Sequence, residues 1–325
     1  MRALVHPAFG DPADVLTVQE VPDPQPGPGE VLVRVTLSPI HNHDLWTVRG
    51  SYGYKPELPA RAGTEAVGVV EAPGEGVSSL EVGQRVATGG SFGAWAELVV
   101  APAAALVPVP EGVADEAASQ LVSMPFSAIA LLEFLDVAEG AWIVQNAANG
   151  AVGRLVAQLA AARGVNVVGL VRRAEGVQEL ADQGISRVVA TDDPDWREQV
   201  RSLVGEAPVV AGVDSVGGSA AGEVLSLLAE DGVLVVFGAM ASPTMELASG
   251  DVIFKQAVVK GFWGSKVFGA MDGATRARLM GELVTGIAAG TLTLPVESVH
   301  GLDDVAAAVR ASGRPGRAGK VLLRP

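Results

Sequence analysis

The chain has 325 residues, room for two domains with full cores. Its 23 basic and 37 acidic side chains leave a net charge of −14, which argues against a polyanion-binding surface for nucleic acid or anionic lipid. It has no cysteine, which excludes disulfides, thiolate nucleophiles, iron–sulfur clusters and every cysteine-ligated zinc site. Apolar residues make up 49% and charged residues 18%, the balance of a globular chain. No apolar run reaches the roughly 18 residues of a membrane helix. The opening Met1-Arg2-Ala3-Leu4-Val5-His6-Pro7 lacks the pattern of a secretory signal. A cytoplasmic protein without membrane or nucleic-acid partners is therefore expected.

The first 115 residues read as strands and turns. Pro22, Pro24, Pro26 and Pro28 rule out a helix and predict an extended connector. Val31–Val35 alternates as a half-buried strand, with Val31, Val33 and Val35 on one face and Leu32 and Arg34 on the other. Ala66–Glu71 and Gln84–Ala87 are further short strands. From 116 to 265 the character changes. Apolar runs at Trp142–Gln145, Asn166–Val171, Val209–Val213 and Gly232–Phe237 alternate with helices such as Gly150–Arg163 and Ala220–Ala229. Strands apolar on both faces between helices predict a parallel sheet covered on both sides. After 265 an amphipathic helix (Thr275–Ala289), a strand (Val296–His300), a helix (Asp303–Ser312) and a last strand (Lys320–Leu323) are expected, returning to the first domain.

The strongest chemical signal lies at Ala148-Asn149-Gly150-Ala151-Val152-Gly153. It is a Gly-x-Gly-x-x-Gly fingerprint with alanine first, after a strand and opening a helix. Gly150 lets the backbone approach a pyrophosphate, Gly153 lets the helix pack on the strand, and the free N–H groups of the helix start attract phosphate. The next strand ends in Arg172-Arg173, about 20 residues on, where an acid would hold a ribose 2′-hydroxyl. Two guanidinium groups suit a 2′-phosphate instead, so the expected cofactor is NADP(H). By the rule that ligands sit beyond the carboxyl ends of parallel strands, Gly238-Ala239-Met240 and Phe262-Trp263 are expected beside it.

These segments, with Gly63-Thr64-Glu65-Ala66-Val67-Gly68, Val213-Asp214-Ser215-Val216-Gly217-Gly218 and Gly319-Lys320-Val321-Leu322, resemble the medium-chain dehydrogenase/reductase family over nearly the full chain. The resemblance implies an α/β protein made of a GroES-like β-rich catalytic domain (1–118 and 266–325) and a Rossmann doubly wound parallel-sheet cofactor domain (119–265). The family site lies in the cleft between them. The family's catalytic-zinc positions carry His41, Thr64 and Ser123 here, too few ligands for a tetrahedral site, so no metal is expected. The zinc-free branch contains 2-enoyl thioester reductases and quinone reductases. Both share the stretch Asp44-Leu45-Trp46 through Gly50-Ser51-Tyr52. Gln145-Asn146-Ala147-Ala148-Asn149, and Phe254-Lys255 followed by Gly261-Phe262-Trp263, are similar to the enoyl reductases.

The implied reaction is NADPH-dependent reduction of the conjugated C=C bond of a 2-enoyl thioester. A quinone or enone reductase is the alternative, and a non-catalytic NADPH-binding protein the remote one. Tyr52 matches the family's proton-donating tyrosine. His41 stands where the zinc-free groups carry Asn near the nicotinamide, and Ser127 matches a family Thr there. Asn149, Gly150, Ala151, Val152, Gly153, Arg172, Arg173, Gly238, Ala239 and Lys320 are the expected cofactor contacts. His41, Ser127, Met240, Phe262 and Trp263 are the expected pocket residues. His43 is read as surface or supporting, and His6 and His300 as structural. By family analogy a homodimer is expected.

Overall fold

The computed structural model describes residues 1–325. The chain divides into two compact units, Met1–Met124 with Glu282–Pro325, and Pro125–Gly281. No helix is long and apolar enough to cross a membrane.

The first unit is built on strand Glu30–Pro39, which pairs with three neighbours: Glu65–Pro73, Leu98–Pro102 and Lys320–Arg324. Its alternation has a physical outcome. Val31, Val33 and Val35 are buried in one apolar cluster with Ala66, Val70, Val86 and Val99. Each such side chain contributes about 1.5–3 kcal/mol by leaving water. Arg34 points outward and is held by two hydrogen bonds to Glu71, 2.9 and 2.8 Å. Leu32, expected on the solvated face, is buried as well, so that face is partly covered. The full sheet has seven strands, with Val296–Gly301, Arg85–Gly89 and Val107–Pro108 extending it. A second sheet of three strands is formed by Thr17–Glu20, Arg2–His6 and Ala60–Arg61. The last strand, Lys320–Arg324, lies antiparallel to Glu30–Pro39 and returns the C-terminus to this unit.

Two features place the motif Gly63-Thr64-Glu65. Gly63 has φ +89° and sits against Trp95; a Cβ there would stand 2.3 Å from the indole ring. Trp95 is fully buried and donates its indole N–H to the Pro39 carbonyl at 3.1 Å. The ends of two neighbouring strands are thereby fixed against one another, and the helix Asn42–Arg49 starts from the second of them.

The second unit is a six-stranded, all-parallel sheet. Its spatial order is Val188–Ala190, Asn166–Val171, Trp142–Gln145, Val209–Asp214, Val233–Val236, Val258–Gly261. Counted along the chain this is 3-2-1-4-5-6, the doubly wound order, whose reversal between the first and fourth strands opens a ligand crevice. The central strands are apolar on both faces, with Ile143, Val144, Val168 and Leu234 fully buried. The outermost strand, Val258–Gly261, pairs on one side only. Val258 on it is exposed, as are Ile253 and Phe254 just before it.

The predicted strands from Trp142 to Val236 and the helix after Gly150 fall within a residue or two of the observed elements. Helix Ser123–Leu135 was not legible, because eight of its residues, Pro125 through Leu132, are buried and it lacks an amphipathic stripe. The proline run 22–27 has no regular structure.

Candidate active site

The phosphate-binding turn follows strand Trp142–Gln145. Gly150 occupies the N-cap of helix Ala151–Ala162 and no side chain caps it, so the first N–H groups of the helix are left to an external acceptor. Gly153 packs so closely on the turn that a Cβ would lie 2.7–2.8 Å from the backbone of Ala147 and Ala148. The turn is held by its own residues. Gln145 donates its amide to the Gly153 carbonyl at 2.7 Å. Asn146 donates to Asp214 Oδ1 at 2.5 Å and accepts from the Ser215 N–H at 2.7 Å. Asp214 is fully buried and also accepts from the N–H groups of Val216 and Gly217. Asn146 and Asp214 thus clasp the carboxyl ends of the two strands at which the sheet order reverses. Sequence reasoning gave neither residue a role. The signal was present as a polar residue ending each of two apolar strands.

The remaining predicted cofactor residues of this unit sit at strand ends. Arg172 and Arg173 are exposed immediately after strand Asn166–Val171. Gly238 donates its N–H to Asp214 O at 3.2 Å and Met240 to Ser215 O at 3.2 Å, so this loop hangs from the same clasp. Met240 is exposed. Ser127 is buried on helix Ser123–Leu135. Phe262 is buried among Phe134, Phe237 and Phe268, with ring centroids 5.4, 5.6 and 6.3 Å away. Trp263 is more than half exposed and lines an apolar cavity of about 640 Å³ with Phe134, Lys266, Val267 and Met271. The turn, with its uncapped helix start, fits the pyrophosphate of a nicotinamide dinucleotide.

The first unit gathers His41, His43, Asp44, Tyr52, Thr64, Glu65 and Lys320. His41 is the N-cap of helix Asn42–Arg49, and its N–H donates to Asp44 Oδ2 at 3.0 Å. The helix ends at Gly50 in the left-handed region, and the N–H groups of Ser51 and Tyr52 both return to the Trp46 carbonyl, 3.0 and 3.2 Å. That knot fixes Tyr52, whose ring lies 6.0 Å from that of His43.

Glu65 is fully buried. Its Oε2 lies 2.6 Å from His41 Nε2, and its Oε1 accepts from the N–H groups of Val122 and Ser123 at 2.6 and 2.8 Å. Burial pushes its carboxyl up to about 7, against the pull of the two backbone donors and of Lys320. Burial pushes Lys320 down to about 8, aided by Arg317 and opposed by Asp44 and Glu65. His41 is fully buried and is held well below its ordinary range by burial first, then by Lys320 and His43. At neutral pH its imidazole is uncharged, so the His41–Glu65 contact is a hydrogen bond and not an ion pair. Lys320, expected at the cofactor, is buried in this cluster.

A catalytic zinc does not fit here. His41 spends Nε2 on Glu65, and Thr64 donates its hydroxyl to Asp44 at 2.7 Å while accepting from His43 at 2.8 Å. No group of three His, Asp or Glu side chains is arranged to hold a metal ion.

The raised Glu65 carboxyl has a defined pH signature. Between its ordinary 4.5 and about 7 the folded protein keeps a proton that the unfolded chain releases, so stability falls as pH rises through that window. Relative to Glu65→Gln, the wild type should lose about 3 kcal/mol between pH 4.5 and 8, most of it below pH 7. Urea denaturation of both proteins across pH checks this. A difference independent of pH would contradict the buried, proton-retaining carboxyl.

Two family models match the chain: an alcohol dehydrogenase GroES-like domain over residues 27–111 and a zinc-binding dehydrogenase domain over residues 151–279. The human mitochondrial enoyl-[acyl-carrier-protein] reductase is 31% identical over 99% of this chain and 88% of its own. The Escherichia coli quinone oxidoreductase, solved in complex with NADPH, superposes with a TM-score of 0.89 at 25% identity over the whole of both chains. A mycobacterial protein, also solved with NADPH, gives 0.88 at 29% identity over the whole of both chains. The chain belongs to the medium-chain dehydrogenase/reductase family and is a zinc-free oxidoreductase resembling the enoyl reductases and quinone oxidoreductases.

Proposed function

We propose that this protein reduces the conjugated C=C bond of a 2-enoyl thioester with NADPH. The observation that carries this reading is Tyr52, fixed by the helix C-terminus beside an imidazole, in a unit where the zinc-position residues His41 and Thr64 are engaged by Glu65, Asp44 and His43. A nicotinamide dinucleotide whose pyrophosphate is held by the phosphate turn would supply a hydride to the substrate β-carbon. The chain's own residues do the rest. Gly150 and the helix start hold the pyrophosphate, and the Asn146–Asp214 clasp keeps that turn in register. Negative charge then develops toward the thioester oxygen, and Tyr52 gives its phenolic proton to the α-carbon. A phenol is a weak acid at neutral pH, but an enolate is a strong enough base to take its proton. The length-wide similarity to enoyl reductases supports this substrate class. A quinone is the second reading, favoured by the quinone oxidoreductase among the structural neighbours.

Arg172 and Arg173 support NADPH over NADH, since a guanidinium fork matches a 2′-phosphate. The apolar, one-sided edge strand Val258–Gly261 supports a homodimer, because such an edge is a template for a second copy.

The substrate reading is tested by following NADPH oxidation with crotonyl-CoA and with a para-quinone. Tyr52→Phe should lower kcat on crotonyl-CoA about 100-fold while leaving NADPH affinity within twofold. Quinone turnover alone, indifferent to this substitution, would establish the second reading. The double variant Arg172→Ala with Arg173→Ala should raise the Kd for NADPH at least tenfold and leave that for NADH unchanged. Equal losses for both would refute the 2′-phosphate role. Light scattering should give twice the chain mass for the wild type and the monomer mass for Val258→Lys. A monomeric wild type would reject the edge-to-edge dimer.

A further inference from the structure

The Tyr52 phenol has no acidic partner of its own among the hydrogen bonds of the site, yet a donor that acts once per turnover must be recharged. His43 is placed to do this. Its ring lies 6.0 Å from that of Tyr52 and is stacked on His41 at 5.0 Å. Its Nε2 is 2.8 Å from Thr64 Oγ1. The single hydroxyl hydrogen of Thr64 goes to Asp44 Oδ1, at 2.7 Å, so the Thr64 oxygen acts as acceptor toward His43. His43 Nε2 therefore carries a hydrogen in every protonation state, and Asp44 Oδ1, 3.5 Å from the same nitrogen, favours that arrangement. Asp44 is itself fixed, since its other oxygen accepts from the His41 N–H at 3.0 Å. Proton exchange at His43 is left to Nδ1. The side chain keeps 22% of its surface exposed, whereas Asp44 keeps none.

We propose that His43, oriented by the Thr64–Asp44 relay, is the positioning residue that returns a proton to Tyr52 during reduction. The inference rests on the reductase reading above. In the step, the Tyr52 O–H bond breaks as the α-carbon gains its hydrogen, and the phenolate oxygen takes the proton from Nδ1 of the His43 imidazolium. The imidazole keeps its Nε2–H on Thr64 and takes a new proton at Nδ1 from water. No electrons change hands beyond the hydride. The charged and titratable groups around His43 are Asp44 on its own helix, His41 stacked on it and Tyr52 beside it. Glu65 and Lys320 lie beyond His41, on neighbouring strands.

Thr64 stands where the family's zinc-binding members place a ligand, and here its hydroxyl serves as the link between carboxylate and imidazole. Replacing it by valine removes the link and keeps the shape.

Two measurements on the full-length protein test the proposal. The first is the ¹⁵N NMR signature of His43, assigned by its loss in His43→Gln. The wild type should show the Nε2–H tautomer above the imidazole titration, and Thr64→Val should shift it to a tautomer mixture. A wild-type Nδ1–H tautomer would overturn the relay. The second is steady-state turnover on whichever of crotonyl-CoA and para-quinone the wild type reduces. His43→Gln should lower kcat at least tenfold with KM and NADPH Kd within twofold, and should raise the solvent deuterium isotope effect. In His43→Gly, added imidazole should restore at least a quarter of the lost rate. A kcat within twofold of wild type, or a loss that imidazole does not rescue, would overturn the role. Turnover of neither substrate by the wild type defeats the reductase reading, and the proton role falls with it whatever the nitrogen shifts show. Turnover of quinone alone defeats only the enoyl reading, and the His43 comparison is then made with quinone.

Discussion

A carboxyl group without water must be satisfied by the protein or remain protonated, and Glu65 does some of each. Its two oxygens are hydrogen-bonded by His41 on one side, and by the N–H groups of Val122 and Ser123 on the other. The cost of burying it is what lifts its proton affinity, and their own burial lowers His41 and Lys320 below their ordinary ranges. Three ionisable groups packed this tightly leave little freedom to the helix that carries Asp44 and His43. The position of Tyr52 follows from that helix, because the loop bearing it hangs from the Trp46 carbonyl. The stretch around His41 is organised here by hydrogen bonds among buried side chains.

The second unit solves a similar problem with a second buried carboxylate. Asp214 collects one amide and two backbone donors, and through Asn146 it ties together the two strands between which the sheet order reverses. The phosphate turn is held by the Gln145 and Asn146 side chains and presents backbone to the ligand, with Gly153 too close to the turn to bear a side chain. Both units therefore place a candidate reactive element on a buried, hydrogen-bonded polar cluster. This is the arrangement that preorganised catalysis requires, because a site that holds its donors in place does not reorganise as charge develops.

Much of this was legible in the sequence, for reasons that differ by element. The parallel strands announced themselves by being apolar on both faces, and the fingerprint by glycines whose spacing has one geometric use. Strand Glu30–Pro39 showed its alternation, although Leu32 is buried where solvent was expected. Helix Ser123–Leu135 gave no stripe because it is surrounded on all sides. The buried polar contacts were illegible for a stricter reason. Glu65 meets Val122 and Ser123 across 57 and 58 residues, and Asn146 meets Asp214 across 68, separations over which local pattern carries no information. His43 looked like a surface residue because nothing local reveals that Thr64, 21 residues on, accepts its hydrogen bond.

The central claim is that the hydrogen added to one carbon comes from the nicotinamide and the other from a side chain in exchange with water. Its most direct test is the fate of deuterium in the product. Crotonyl-CoA is reduced once with 4-deuterated NADPH in H₂O and once with NADPH in D₂O, and the butyryl product is read by NMR. The account predicts one deuterium at C3 in the first case and one at C2 in the second. Cofactor deuterium at C2, or solvent deuterium at C3, would contradict it.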